Sequence, residues 1–146
     1  MKNEQNLSTE RSVVINSDLK RIWDTLINPA KIKLYLFGSN VETDWKVGSP
    51  VTFTRDSNSV RYQDKGIILE YDEGKHLEFS YWSSQEGYAD IPENYSVITY
   101  TLDKENDKSV KLTYRREKIP IEFEKMNQER YLPGMLEDIK RIAEQE

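Results

Sequence analysis

The chain has 146 residues, no cysteine, one histidine and 32% charged residues, with a formal net charge of −5. These numbers exclude disulfides, thiolate metal sites and cysteine nucleophiles, and they leave no basic face to neutralise a phosphate backbone. Nucleic acid is therefore not an expected partner, and the length fits one domain.

The first seven residues read as a frayed terminus, with a single domain over 8–146. The N-terminal stretch is polar and lacks the apolar core of a signal peptide, and no run reaches the roughly 18 apolar residues of a membrane span. A cytoplasmic location is expected. Thr9 to Ile15, with Val13 and Val14, reads as a strand. Asn16-Ser17-Asp18 supplies an N-cap, after which Leu19, Ile22, Trp23, Leu26 and Ile27 recur at helical spacing, predicting a helix over 17–28. Asn28-Pro29 ends it and starts a second helix, over about 29–37, with Gly38 as its stop.

From residue 40 the period becomes two. Strands are predicted at Val41 to Trp45, around Val51 to Arg55, and from Val60 to Tyr71, where the interior Gly66 marks a bulge or bend. Further strands follow at Leu77 to Tyr81, Tyr95 to Leu102 and Ser109 to Arg115, with a longer loop over 83–94. Beyond Pro120 the chain turns helical, with Leu132, Met135, Leu136, Ile139, Ile142 and Ala143 as an inner stripe over about 130–145. Pro133 either starts that helix or kinks it. Six consecutive strands on short turns must be mostly antiparallel, and the one long apolar helix stripe is free to cover their apolar face. The fold class predicted is α+β: a curved antiparallel sheet of six to seven strands around a long C-terminal helix, with two short helices after the first strand.

The order of elements and several strings resemble the heat-shock-protein-90 ATPase-activator homologues of the START-like, or Bet v 1-like, helix-grip superfamily. The strings are Ile22-Trp23-Asp24, Asn28-Pro29, Thr43-Asp44-Trp45-Lys46-Val47-Gly48, Asp64-Lys65-Gly66-Ile67-Ile68-Leu69-Glu70, Leu77-Glu78-Phe79-Ser80-Tyr81 and Leu112-Thr113-Tyr114. Where that family commonly has a glycine-tryptophan pair at the final helix, this chain reads Tyr131-Leu132. The resemblance implies the helix-grip fold and a small-molecule site or a chaperone partner; a shared fold does not by itself confer either.

The inward face of such a fold gives the candidate pocket: Phe53, Ile67, Leu69, Phe79, Tyr81, Tyr100, Tyr114, Leu132, Met135, Leu136 and Ile139, with Arg55 inward at a strand end. Arg55 would pair a ligand carboxylate or reach out to the sheet rim. The phenols of Tyr81, Tyr100 and Tyr114 need hydrogen-bond partners, from a ligand or from the backbone. His76 lies one step from Leu77 and so points away from the pocket. With no second histidine and no phosphate-cradling loop, no metal, cofactor or catalytic residue is expected. Three functions follow: a binding module for an apolar or amphipathic small molecule, a co-chaperone-like interaction protein, or a cyclase- or hydratase-type enzyme using the pocket tyrosines. The chain is expected as a monomer or homodimer. Trp23 and Trp45 are both expected in the core.

Overall fold

The computed structural model describes residues 7–145. In chain order the elements are β1 (Leu7–Ile15), α1 (Leu19–Ile27), α2 (Pro29–Tyr35), β2 (Asn40–Glu42), β3 (Pro50–Ser57), β4 (Val60–Asp72), β5 (His76–Ser83), β6 (Ser96–Asn106), β7 (Ser109–Ile119) and α3 (Glu122–Glu144). The seven strands form one sheet in the order β1-β7-β6-β5-β4-β3-β2, with every pair antiparallel. This is the α+β helix-grip architecture. Of the terminal segment expected to be frayed, residues 1–6 lie outside the described residues, whereas Leu7 opens β1 opposite Ile119. Glu146 also lies outside them.

Local chemistry sets the crossing from β1 to β2. The Asp18 carboxylate accepts from the Arg21 N–H at 2.7 Å and caps α1. Asn28 then serves both helices, closing α1 through its own N–H and capping α2 by accepting from Ala30 N–H at 3.0 Å. Pro29 at the first position of α2 has no N–H to lose there.

One face of the sheet carries the apolar core. Ile15, Ile22, Trp23, Leu26, Leu77, Leu102, Leu112, Leu136 and Ile139 belong to one buried cluster, and α3 packs against β1, β7 and the two short helices. Trp23 is 3% exposed and donates its ring N–H to the Tyr71 hydroxyl at 3.1 Å. Trp45, expected in the core, is only half-buried; it sits at φ +62° in the β2–β3 loop and rests against Tyr71.

Two further expectations are corrected. Ile67 and Leu69 point out of the core, at 47% and 38% exposure, while Gly66 and Ile68 face in. Three apolar residues in a row do not define the phase of a strand, and the register shifts between Ile68 and Glu70, leaving Leu69 as the extra residue. Gly66 is required because β5 passes so close that a Cβ would collide with the Ser80 carbonyl oxygen. The second correction is α3, which begins at Glu122 rather than near 130 and runs unbroken through Pro133.

Candidate functional site

Between the sheet and α3 lies a cavity of about 570 Å³. Its walls come from β3, β4, β5, β6, β7, the end of α2 and the middle of α3. Of the residues that alternation aimed inward, Phe53, Arg55, Phe79, Tyr81, Tyr100, Tyr114 and Met135 line it. Leu132, Leu136 and Ile139 do not line it; they are buried in the packed core, because the turns of α3 that carry them press onto apolar neighbours without a gap. Ile67 and Leu69 are on the far side of the sheet. Phe53 packs against Phe79 and Tyr81, with ring centroids 5.9 and 6.4 Å apart. Arg55 lies over the ring of Tyr62, its cross-strand partner, at 5.1 Å.

The cavity is not uniformly apolar: Arg55, Asp64, Glu86, Gln128 and Arg130 also line it. Behind the lining residues Tyr81, Tyr114 and Gln128 sits Arg116, which is 2% exposed and inward on β7 in alternation with Leu112 and Tyr114. Its Nε donates to Ser96 Oγ at 2.9 Å and its NH1 to Gln128 Oε1 at 3.0 Å, while its NH2 pairs with the Glu124 carboxylate. Its guanidinium also lies 4.9 Å over the ring of Tyr81. Burial alone would lower the Arg116 pKa; the neighbouring phenol of Tyr114 and the Glu124 carboxylate outweigh it and hold Arg116 above its ordinary value. Glu124 and Gln128 lie one turn apart on α3, 2% and 1% exposed. Tyr88, in the β5–β6 loop, donates to the other oxygen of Glu124 at 2.5 Å and so ties the loop to the helix.

All three pocket phenols are engaged or desolvated. Tyr114 donates to Gln128 Oε1 at 2.9 Å, and Tyr81 donates to Asp64 Oδ2. Burial raises the pKa of Tyr81, Tyr100 and Tyr114 well above 10.0, reinforced at Tyr81 by Asp64 and at Tyr100 by Tyr35. Each is therefore a neutral hydrogen-bond donor at physiological pH. Glu86, from the same loop as Tyr88, lines the cavity too; burial and then the Glu124 charge raise its pKa.

Alternation reached the aromatic wall but not this polar end. Ser96 shares its phase with Ile98 and Tyr100, and Arg116 shares its phase with Tyr114, so both carried a signal. Glu124 and Gln128 carried one only to a reader who already knew that α3 starts at Glu122, since they then fall eight and four residues before Leu132. Asp64 was hidden by the uncertain phase of β4.

His76 is on the outer face, away from the cavity. Its Nε2 lies 3.2 Å from Glu70 Oε1 and 3.5 Å from Glu78 Oε1, and its Nδ1 3.2 Å from Thr101 Oγ1. Glu70, His76 and Glu78 each bring one ligand atom within 4.8 Å of the others, so this is where the described residues could hold a cation. The same geometry serves an ordinary ion pair when the ring is protonated.

An open antiparallel sheet gripping one long helix, with a cavity between them, defines a START-like, or Bet v 1-like, protein. The chain belongs to the family described as "Activator of Hsp90 ATPase homolog 1-like protein", whose model matches residues 16–144. Among solved structures it is similar to a protein from Cytophaga hutchinsonii, at 35% identity over 97% of this chain and 96% of that one, with a TM-score of 0.80. It shares the fold of the Aha1 dimer from Colwellia psychrerythraea (13% identity, 94% and 96% coverage, TM-score 0.71). It also shares the fold of an HSP90 activator from Plasmodium falciparum (16% identity, 93% and 95% coverage, TM-score 0.73). No curated protein matches the sequence. Among the described residues no helix is long and apolar enough to cross a membrane.

Proposed function

We propose that the protein binds an amphipathic small molecule in the cavity between the sheet and α3, with its apolar body against the aromatic wall and its polar head towards Arg116. The observation that carries this reading is the cavity itself. At about 570 Å³ it falls within the roughly 300–1,000 Å³ of typical ligand sites, and its lining combines Phe53, Phe79, Ile98 and Met135 with the phenols of Tyr81, Tyr100 and Tyr114 and with charged and amide groups such as Arg55, Asp64, Glu86 and Gln128. Of the apolar or amphipathic ligands expected from the sequence, an amphipathic one suits a lining that also carries Asp64, Glu86 and Gln128.

A co-chaperone-like role is a second reading. It draws on the family description and on Phe123 and Met126, which are 64% and 50% exposed on the outer side of the first turns of α3. The enzyme reading draws least support. A phenol whose pKa is raised further above 10 is a poor general acid near neutrality, and the Tyr81 and Tyr114 hydroxyls already have partners.

Titration with an environment-sensitive apolar dye tests the proposal. Saturable binding at one site is expected, together with its loss in Met135→Trp, which fills the cavity, while the melting temperature shows the variant folded. A folded wild-type protein that takes up no dye or apolar ligand would turn the assignment to the interaction-protein reading.

A further inference from the structure

Glu70 on β4 and Glu78 on β5 are cross-strand partners on the outer face of the sheet, away from the cavity. Like charges directly opposite each other destabilise a strand pair. The bulge in β4 is what sets them face to face. Ile68 and Tyr71 both pack against the core, so the extra residue Leu69 turns Glu70 outward, where strict alternation would turn it in. Among the described residues neither carboxylate pairs with a lysine or an arginine; each pairs with His76 instead.

The His76 ring reaches both. Its Nε2 lies 3.2 Å from Glu70 Oε1 and 3.5 Å from Glu78 Oε1, and the three ligand atoms fall within 4.8 Å of one another. A tetrahedral zinc ion with bonds of about 2.0–2.1 Å sets its ligand atoms about 3.3 Å apart. Both contacts to Nε2 therefore already have the spacing of a shared ion. The other ring nitrogen is anchored from β6, where Nδ1 is 3.2 Å from the hydroxyl of Thr101, the cross-strand partner of His76. When Nδ1–H donates to that hydroxyl, the Nε2 lone pair faces Glu70 and Glu78. Three acceptors then converge on one point, and a neutral ring supplies no charge to hold them there. An outer partner that fixes the tautomer is the usual companion of a metal-bound histidine.

We propose that Glu70, His76 and Glu78 form a binding site for a divalent transition-metal ion such as Zn²⁺. An imidazole with two carboxylates suits zinc, whereas Mg²⁺ and Ca²⁺ take oxygen ligands. The ion cancels the repulsion between the opposed carboxylates and ties β4 to β5. Thr101 is a positioning residue: it turns Nε2 towards the ion without touching it. Three protein ligands leave the fourth tetrahedral position to water, the open form of a zinc site. The site lies on the opposite face of the sheet from the cavity and stands independently of the small-molecule reading.

The chain carries one histidine and no cysteine, so every imidazole signal belongs to His76. Untagged full-length protein, stripped with a chelator, is titrated with Zn²⁺ by calorimetry and by NMR of the imidazole nitrogens. Saturable binding is expected, with the Nε2 resonance moving and Nδ1 staying protonated. Glu70→Gln and Glu78→Gln keep the size of each side chain and remove the repulsion, so both should stay folded, as melts without zinc verify. Each should weaken Zn²⁺ at least tenfold, and Thr101→Val about tenfold. A matched excess of Ca²⁺ should leave the ring resonances unmoved. Saturating Zn²⁺ that does not move Nε2 would overturn the proposal and leave the cluster an ion pair only. A ring that responds as strongly in both Glu→Gln variants would overturn it too, making His76 a lone surface ligand. So would a response to Ca²⁺ equal to that to Zn²⁺, which would reduce the site to a general attraction for cations.

Discussion

The same strands build two different interiors. Along the inner face of β7, Val110 and Leu112 are followed by Tyr114 and then Arg116; along β6, Leu102 and Tyr100 give way to Ile98 and Ser96. On α3 the C-terminal half buries Leu136, Ile139, Ile142 and Ala143, whereas the N-terminal half buries Glu124 and Gln128. One end is dry and close-packed, and the other is an ion pair with its satellites beside a cavity. Apolar burial is what stabilises the domain. A buried ion pair, by contrast, is often no better than apolar residues of similar volume. The polar end therefore makes its contribution through what it positions, and the contrast between the ends separates stability from binding.

The largest expected effect comes from breaking the pair at the polar end. Arg116→Met leaves the Glu124 carboxylate buried and uncompensated, and should cost about 3–5 kcal/mol in urea melts. The double variant Arg116→Met, Glu124→Leu removes both charges and should recover most of that loss. If the double variant were as unstable as the single, the cost would lie in packing rather than in stranded charge. At the dry end, Ile139→Ala should cost about 3 kcal/mol, through lost transfer energy and a residual cavity, and leave ligand binding unchanged in the folded protein. A binding defect there would mean that the two ends are not separable.

This division also explains what could be read from the sequence. Period-two alternation and the stripe from Leu132 to Ala143 are signatures of apolar burial, so they gave the strands, their antiparallel order and the packing helix. They also gave the aromatic wall, because Phe53, Phe79, Tyr81, Tyr100 and Tyr114 alternate with polar residues. The same logic failed where the inward residue is polar. Phe123 and Met126 face solvent while Glu124 and Gln128 are buried, the inverse of the pattern that marks a helix face. The first turns of α3 also lack a capping side chain, since Ile121 stands at the N-cap. On β4, Asp64 and Gly66 face inward with no apolar side chain to announce the phase, and the exposed Ile67 and Leu69 announce the opposite one. Deviations from local pattern of this kind concentrate at functional sites, and two of the inward polar residues, Asp64 and Gln128, line the cavity.

The smallest effect sharpens the same comparison by charge alone. Glu86 reaches the polar end from the β5–β6 loop, and burial, then the Glu124 carboxylate and also Asp64, raise its pKa above 4.5, against the opposing pull of Arg116. A carboxyl whose pKa is higher in the folded state binds its proton more tightly there than in the unfolded chain. Its contribution to stability is thus complete below about pH 4.5 and is lost as pH rises through the raised folded value. Glu86→Gln cannot ionise and loses nothing over that window. The variant should become progressively more stable than the wild-type protein as pH rises from 4.5 towards neutrality, with the two equal at the acid end. Asp44, Asp90 and Glu144, whose pKa values are lowered, make stability fall with acid in both proteins and cancel in the difference. Melts of the pair across that range measure the difference directly. Parallel curves would place Glu86 in ordinary solvent, outside the field of Glu124 and Asp64. A difference that grows with pH would place the Glu86 charge at the polar end of the cavity, in the field of Glu124 and Asp64.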